Sequence, residues 1–207
     1  MKKLLKLKKL LEMYHLDGYI IPKNDEFFSE YAYPDRLRAI SNFSGSAGFS
    51  IITHWLNYLF VDGRYLIQSK IESGKDFTIV EIPYMYPKDI INNKNLKKIG
   101  YDPKLFTSST LKKYFGGKFQ LIPIKENLVD LISSKYKKKV GMFFCLDHKF
   151  VGESALSKVN RLAEKLKKNN SDSIFISAPE NVAWLLNIRG EDNPASPIPN
   201  ARLIIDK

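Results

Sequence analysis

Leucines 4, 7 and 11 recur at helical spacing among lysines in the first fourteen residues. This predicts an amphipathic helix with most of its cations on the far side. Lys6, Lys8 and Lys9 break the apolar run that a secretory leader would need. No window approaches the roughly 20 apolar residues of a membrane span. The run Gly18-Tyr19-Ile20-Ile21-Pro22, closed by proline, predicts a buried strand. Short helices are expected over 26–31 and 36–43, then a tight small-residue turn at Ser44-Gly45-Ser46-Ala47-Gly48. Strands over 49–53 and 58–61 suit a hairpin. A helix over 65–72, ended by Gly74, leads to a strand over 77–82. The pattern then alternates: helix 89–94, strand 98–101, helix 108–115 stopped by Gly116-Gly117, and strand 119–124.

Strands alternating with helices predict an α/β layered domain, and the hairpin makes its sheet mixed. Residues 1–124 form this first domain. Residues 125–150 read as a connector, with a short helix over 128–133, a basic run over 135–139 and an apolar patch around Cys145. A second unit follows over 151–207. Its strong helix over 154–168 places Leu156, Val159, Leu162, Ala163 and Leu166 on one face. A strand over 173–177, a helix over 180–186 and a strand over 202–205 complete it. So small a unit is marginal for independent burial. Its apolar strand near the last residue reads as the incomplete start of a second, similar domain, with self-association through 203–205 as the expected consequence.

The charge balance invites a nucleic-acid reading, since Lys+Arg 33 against Asp+Glu 22 leaves +11. The excess is mostly lysine, which solvates exposed faces. Only Arg36 and Arg38 lie close together, and no ladder of alternating aromatics and cations follows them. Neither nucleic acid nor membrane is therefore expected as a partner. A single cysteine excludes an internal disulfide and a thiolate metal cluster. His15, His54 and His148 lie outside metal-ligand spacing, and His15 reads as a cap on the first helix. The small-residue turn is one residue short of a Gly-x-Ser-x-Gly elbow and lacks the Gly-Lys-Ser/Thr ending of a phosphate loop. Its small side chains are expected to admit a close backbone approach.

The segment Phe60-Val61-Asp62-Gly63-Arg64-Tyr65 is more informative. A strand ends, Asp62 is placed to cap the next helix, and Arg64 sits in its first turn. A cation there opposes the helix dipole at a cost of about 0.3–1 kcal/mol. A salt bridge to Asp62 or Glu30 would offset it. Alternatively, the guanidinium projects toward an anionic or carbonyl-rich ligand.

Several landmarks occur in order along the chain. They are Tyr19-Ile20-Ile21-Pro22, Asp25-Glu26 with Ser29-Glu30-Tyr31, Phe43-Ser44-Gly45-Ser46-Ala47-Gly48, and Asp62-Gly63-Arg64-Tyr65. Ile99-Gly100-Tyr101-Asp102-Pro103, Glu126-Asn127-Leu128-Val129-Asp130, and the stretch from Asn181 through Arg189-Gly190-Glu191-Asp192 follow. Together they resemble the amino-terminal region of Xaa-Pro aminopeptidases (aminopeptidase P), with creatinase and prolidase as relatives of the same domain type.

The resemblance implies a first α/β domain of ribonuclease-H-like topology, a second of similar kind, and a carboxy-terminal "pita-bread" domain. That last domain holds two metal ions, usually manganese, on two aspartates, a histidine and two glutamates. No segment here resembles those motifs, so the chain is expected to hold no metal and to be inactive alone. By resemblance, Arg64 reaches toward substrate in the catalytic cleft, often that of another subunit; Arg189 and Asp192 are expected to pair structurally. The implied role is a non-catalytic, cytoplasmic portion of an enzyme that removes the residue preceding proline from peptides. Its partners would be the peptide substrate and a homo-oligomer or catalytic-domain partner. The alternative is a stand-alone peptide- or protein-binding module from a truncated gene. A membrane-surface or nucleic-acid binder acting through residues 1–14 ranks last.

Overall fold

The computed structural model describes residues 2–29, 32–133, 141–193 and 195–207, which fall into two compact units, Met1–Lys137 and Lys138–Lys207. The expected basic run over 135–139 lies outside the described residues. In the first unit the elements are α1 (Lys2–Met13), β1 (Gly18–Pro22), α2 (Arg36–Ser41), β2 (Phe49–Thr53), β3 (Asn57–Asp62), α3 (Leu66–Ser73) and β4 (Thr78–Ile82). They are followed by α4 (Pro87–Asn93), β5 (Lys98–Tyr101), α5 (Ser108–Phe115), β6 (Gln120–Pro123) and α6 (Leu128–Ile132).

The six strands form one mixed sheet in the order β4-β3-β2-β1-β5-β6. The pairs β1–β2 and β2–β3 are antiparallel, whereas β3–β4, β1–β5 and β5–β6 are parallel. Side-chain alternation along the strands divides the core in two. Tyr19, Ile21, Ile52, Leu59 and Val61 face a layer made by Leu4, Leu7 and Leu11 of α1, Leu37 and Ile40 of α2, and Leu128 and Val129 of α6. Ile20, Ile51, Tyr58, Phe60 and Val80 face the other way, onto Ile90 and Ile91 of α4 and Phe115 of α5. All five residues of β1 are buried, as its unbroken apolar run requires.

The first helix turns its leucines inward as its spacing implies. It ends with His15 in the left-handed conformation at φ 52° and with the Leu16 amide donating to Leu11 O at 2.9 Å, a backbone cap. The helix expected over 26–31 is absent over its described part, 26–29; Glu30 and Tyr31 lie outside the described residues. Asp25 is the cause. Its Oδ1 accepts from the amides of Phe27 at 2.9 Å and Ser29 at 3.0 Å, capturing donors a helix would need. Helix α2 stops at Ser41 because Asn42 turns left-handed at φ 63°.

The second unit comprises β7 (Phe143–Cys145), α7 (Ala155–Lys168), β8 (Ser173–Ile176), α8 (Pro179–Leu186), β9 (Ile188–Gly190) and β10 (Leu203–Asp206). Strands β8 and β10 form one antiparallel ribbon, β7 and β9 another. The second ribbon was not expected from the sequence. On α7, Leu156 is exposed and Lys158 is buried, the reverse of what amphipathic spacing implies. The exposed pair Ile204 and Phe175 lies directly opposed across β8 and β10. No helix among the described residues is long and apolar enough to cross a membrane.

Because Leu128 is fully buried among α1 and sheet side chains, Leu128→Ala is expected to cost about 2–5 kcal/mol in denaturant unfolding. A loss below about 1 kcal/mol would show that α6 does not belong to this core. Sedimentation equilibrium is expected to show weak concentration-dependent association that Ile204→Lys reduces. A clean monomer over a wide concentration range would contradict it.

Candidate functional site

Strand β3 delivers Asp62 to the sheet's end, where the chain enters a 3-10 turn over Gly63–Tyr65. The Asp62 carboxylate caps that turn, accepting the Arg64 amide at 3.0 Å through Oδ1. It also grips the guanidinium with both oxygens, Nε donating to Oδ1 at 2.9 Å and Nη2 to Oδ2 at 2.8 Å. Of the two sequence-suggested partners for Arg64, Asp62 is therefore one in fact; Glu30 lies outside the described residues. The guanidinium sits 5.1 Å from the Tyr65 ring centre and remains 70% exposed. Bidentate pairing fixes its plane while leaving it at the surface.

Tyr65 ties this turn to the small-residue loop. Its ring meets Phe43 edge-on, with centroids 5.5 Å apart, and its hydroxyl shares a 2.9 Å hydrogen bond with Ser46 Oγ. The approach depends on Gly45: a Cβ there would lie 2.2 Å from Phe43 Cζ and 2.8 Å from Tyr65 Cδ1. Gly48, at φ 150°, brings its backbone against Phe60 O, where a Cβ would stand 2.8 Å away. The close approach expected of this loop is therefore made on both sides.

From α3, Glu72 accepts the Ser44 amide and hydroxyl, both at 2.7 Å. Gln68 donates to Ser44 Oγ at 2.9 Å and to Glu72 at 3.1 Å. Sequence reasoning placed Ser44 and Ser46 in the small-residue turn without their partners, and it missed Gln68 and Glu72. The signal available was the four-residue spacing of Gln68 and Glu72, which puts both on one helix face.

The electrostatics follow from these bonds. The Arg64 side-chain hydrogen bond outweighs partial desolvation and holds the Asp62 carboxyl below the usual carboxylate range. Burial acts to raise Glu72, but the bonds from Ser44 and Gln68 prevail and its carboxyl is also lowered. The corner thus presents one fixed, exposed guanidinium beside a hydrogen-bonded hydroxyl cluster. It can hold a carbonyl or carboxylate oxygen. Among the described residues no three histidine, cysteine, aspartate or glutamate side chains gather to hold a metal ion, so a dinuclear donor set does not fit the residues present.

Other residues singled out in the sequence lie elsewhere. Arg36 is buried, with Nε and Nη2 donating to Asp130 at 2.9 and 2.8 Å and Nη2 to Glu26 at 3.0 Å. His54 bonds Leu16 O through Nε2 at 2.8 Å. The expected Arg189–Asp192 pair is not formed. Arg189 donates to the carbonyls of Ile188 and Ala183, and Asp192 accepts the amides of Gly141 and Asn200. Backbone groups of α8 and β9, and of the segments leading into β7 and β10, claim both side chains.

With this geometry in hand, comparison with known proteins places the chain. Residues 3–134 match a family profile described as the creatinase/prolidase N-terminal domain, and residues 135–207 match a second profile of the same description. A probable Xaa-Pro aminopeptidase P from Laccaria bicolor is 35% identical over 210 residues, covering 95% of this chain and 33% of that protein. Its counterpart from Coprinopsis cinerea is 33% identical, again over 95% of this chain and 34% of its own length. The chain thus spans about a third of these relatives. Among solved structures, the X-prolyl aminopeptidase of Caenorhabditis elegans is described as a cytosolic enzyme with a di-nuclear active site. It superposes with a TM-score of 0.85 at 29% identity, covering 99% of this chain and 37% of the enzyme. The N-terminal domain of the cytoplasmic peptidase PepQ from Mycobacterium tuberculosis H37Rv shares the fold, at TM-score 0.53 and 21% identity, over 64% of this chain and 98% of that domain.

Arg64→Ala is expected to return the Asp62 pKa toward its ordinary value, read by carboxyl NMR titration. Because the folded pKa is the depressed one, the stabilisation from this pair is present above the unfolded value and vanishes as pH falls through the folded value. The stability gap between parent and Arg64→Ala should therefore be small at neutral pH, the pair being exposed, and close in acid. A gap that widens in acid would contradict the assignment.

Proposed function

The chain belongs to the creatinase/prolidase N-terminal domain family, and on that footing we propose that it is the non-catalytic, amino-terminal portion of a Xaa-Pro aminopeptidase. The complete enzyme would release the residue preceding proline from the amino end of peptides. Its two metal ions, manganese in this reading, would be held by a domain other than the two units described. The expected first domain, 1–124, would extend through α6, whose Leu128 and Val129 lie in its core, and the expected second, 151–207, would take in β7, paired with β9, so that the expected connector over 125–150 is divided between them. The protein would act in the cytoplasm as a homo-oligomer or beside a catalytic-domain partner, lining the substrate channel and making subunit contacts.

The observation that carries this reading is the Arg64 guanidinium, fixed bidentately by Asp62 yet 70% exposed. An exposed ion pair contributes little stability, so its ordered geometry suits the capture of a ligand oxygen better than it suits folding. The side chain could orient a peptide by a carbonyl or carboxylate without taking part in bond cleavage.

The test is hydrolysis of an X-Pro-X peptide with added manganese. The chain is assayed alone and as a chimera in which it replaces the matching segment of the C. elegans enzyme. The chain alone should be inactive and the chimera active. Arg64→Ala in the chimera should lower kcat/KM by about tenfold to a hundredfold, the loss of a charge-assisted hydrogen bond. Activity from the chain alone would overturn the assignment. A folded but inactive chimera would shift the reading to a stand-alone binding module.

A further inference from the structure

Lys158 departs from the behaviour of a long surface cation. It lies on α7, yet only 4% of it is exposed. Its ammonium donates to Trp184 O and, at 2.6 Å, to Asn187 Oδ1, and it sits 4.3 Å from the centre of the Trp184 ring. Arg189 lies on the same cavity wall and donates through Nη1 to Ile188 O at 2.8 Å and Ala183 O at 3.4 Å.

Every one of these partners is neutral. Among the described residues, neither cation has a carboxylate at ion-pair distance. The one carboxylate on the wall, Glu153, is already engaged, accepting from Arg161 at 2.9 Å and Ser157 Oγ at 2.8 Å. Burial depresses the Lys158 pKa, and the like charges of Arg161 and Arg189 add to that effect against the opposing pull of Glu153.

Helix capping explains part of the arrangement. The carbonyls of Ala183 and Trp184 belong to the last turn of α8, where cations are favoured, although both also accept the Asn187 amide. Capping does not account for a half-buried second cation on the same wall as a buried lysine whose own contacts are neutral, since buried charge is normally paired. Nor does it use the Nε–Nη2 edge of Arg189, which has no protein partner among the described residues. That edge is the fork that grips a carboxylate with two bonds.

The two cations open onto a cavity of 360 Å³ whose wall also carries the aromatic side chains of Trp184 and Phe150, both exposed. We propose that this cavity, built by the segment 146–153 with α7, α8 and the adjoining β9, binds a small carboxylate with an apolar or aromatic body. Arg189 and Lys158 take the carboxylate, and Trp184 and Phe150 flank the body. This site is independent of Arg64 and of peptide hydrolysis.

The test uses the full chain carrying Trp55→Phe, which leaves Trp184 as its only tryptophan. The probes are phenylacetate, its neutral analogue phenylacetamide, and inorganic phosphate. Phenylacetate should change Trp184 fluorescence saturably in the millimolar range, as expected for so small a ligand. Phenylacetamide should not, and phosphate should bind more weakly. Arg189→Gln should weaken phenylacetate about tenfold or more. If that variant melts early, Arg189→Lys, which keeps the charge and removes the fork, should still lose several-fold. Absence of saturable binding, equal binding of phenylacetamide, phosphate binding as tight as phenylacetate, or parental affinity in a folded Arg189 variant would each overturn the proposal.

Discussion

The structure of the first unit depends on burying β1 on both faces at once. Its five residues sit between an antiparallel neighbour and a parallel one, so the strand must be apolar throughout and must alternate its side chains into two separate cores. Tyr19 and Ile21 commit one face to α1, α2 and α6, whereas Ile20 commits the other to the layer that α4 and α5 cover. A one-residue slip would exchange these sets and place every partner wrongly. The hairpin β2–β3 is set in register by β1, and β3 in turn ends where Asp62 and Arg64 emerge. The position of the exposed guanidinium is therefore a remote consequence of core packing.

At that corner, precision and stability separate. The Asp62–Arg64 pair is too exposed to contribute much to folding, yet its geometry is over-determined. Asp62 holds both the backbone amide and the side chain of Arg64, Tyr65 stacks beneath it, and Gly45 leaves room for Phe43 against Tyr65. A site that must present a charge without burying it has to gain order this way, from short local bonds anchored on a rigid strand. On the proposed reading, a peptide would offer carbonyl and carboxylate oxygens to such a donor.

Much of this was legible in the sequence, for physical reasons that also mark where legibility stops. Leu4, Leu7 and Leu11 report a helix because burial imposes a 3.6-residue period, and residues 18–22 report a central strand because both faces are covered. The turn at Asp25 misled because one side chain competes for amides that propensity assigns to a helix. Strands β7 and β9 are three residues each and exist only through pairing across more than forty positions, a contact local pattern cannot carry. The apolar face over 154–168 did not include Lys158, and only the end of α8 folding against α7 made it a buried residue. At the Arg64 corner, the motif and its Asp62 partner were readable, whereas the Ser44–Glu72 and Ser46–Tyr65 bonds needed the chain to bring distant segments together.

The central claim is that Asp62 serves to aim Arg64 at a substrate oxygen. The most direct measurement is a double-mutant cycle on kcat/KM in the chimeric aminopeptidase, using Asp62→Asn and Arg64→Ala singly and together. If Asp62 acts through Arg64, Asp62→Asn lowers kcat/KM when Arg64 is present and has no further effect once it is gone. Fully additive losses, or an Asp62→Asn enzyme with parental kcat/KM, would contradict the account.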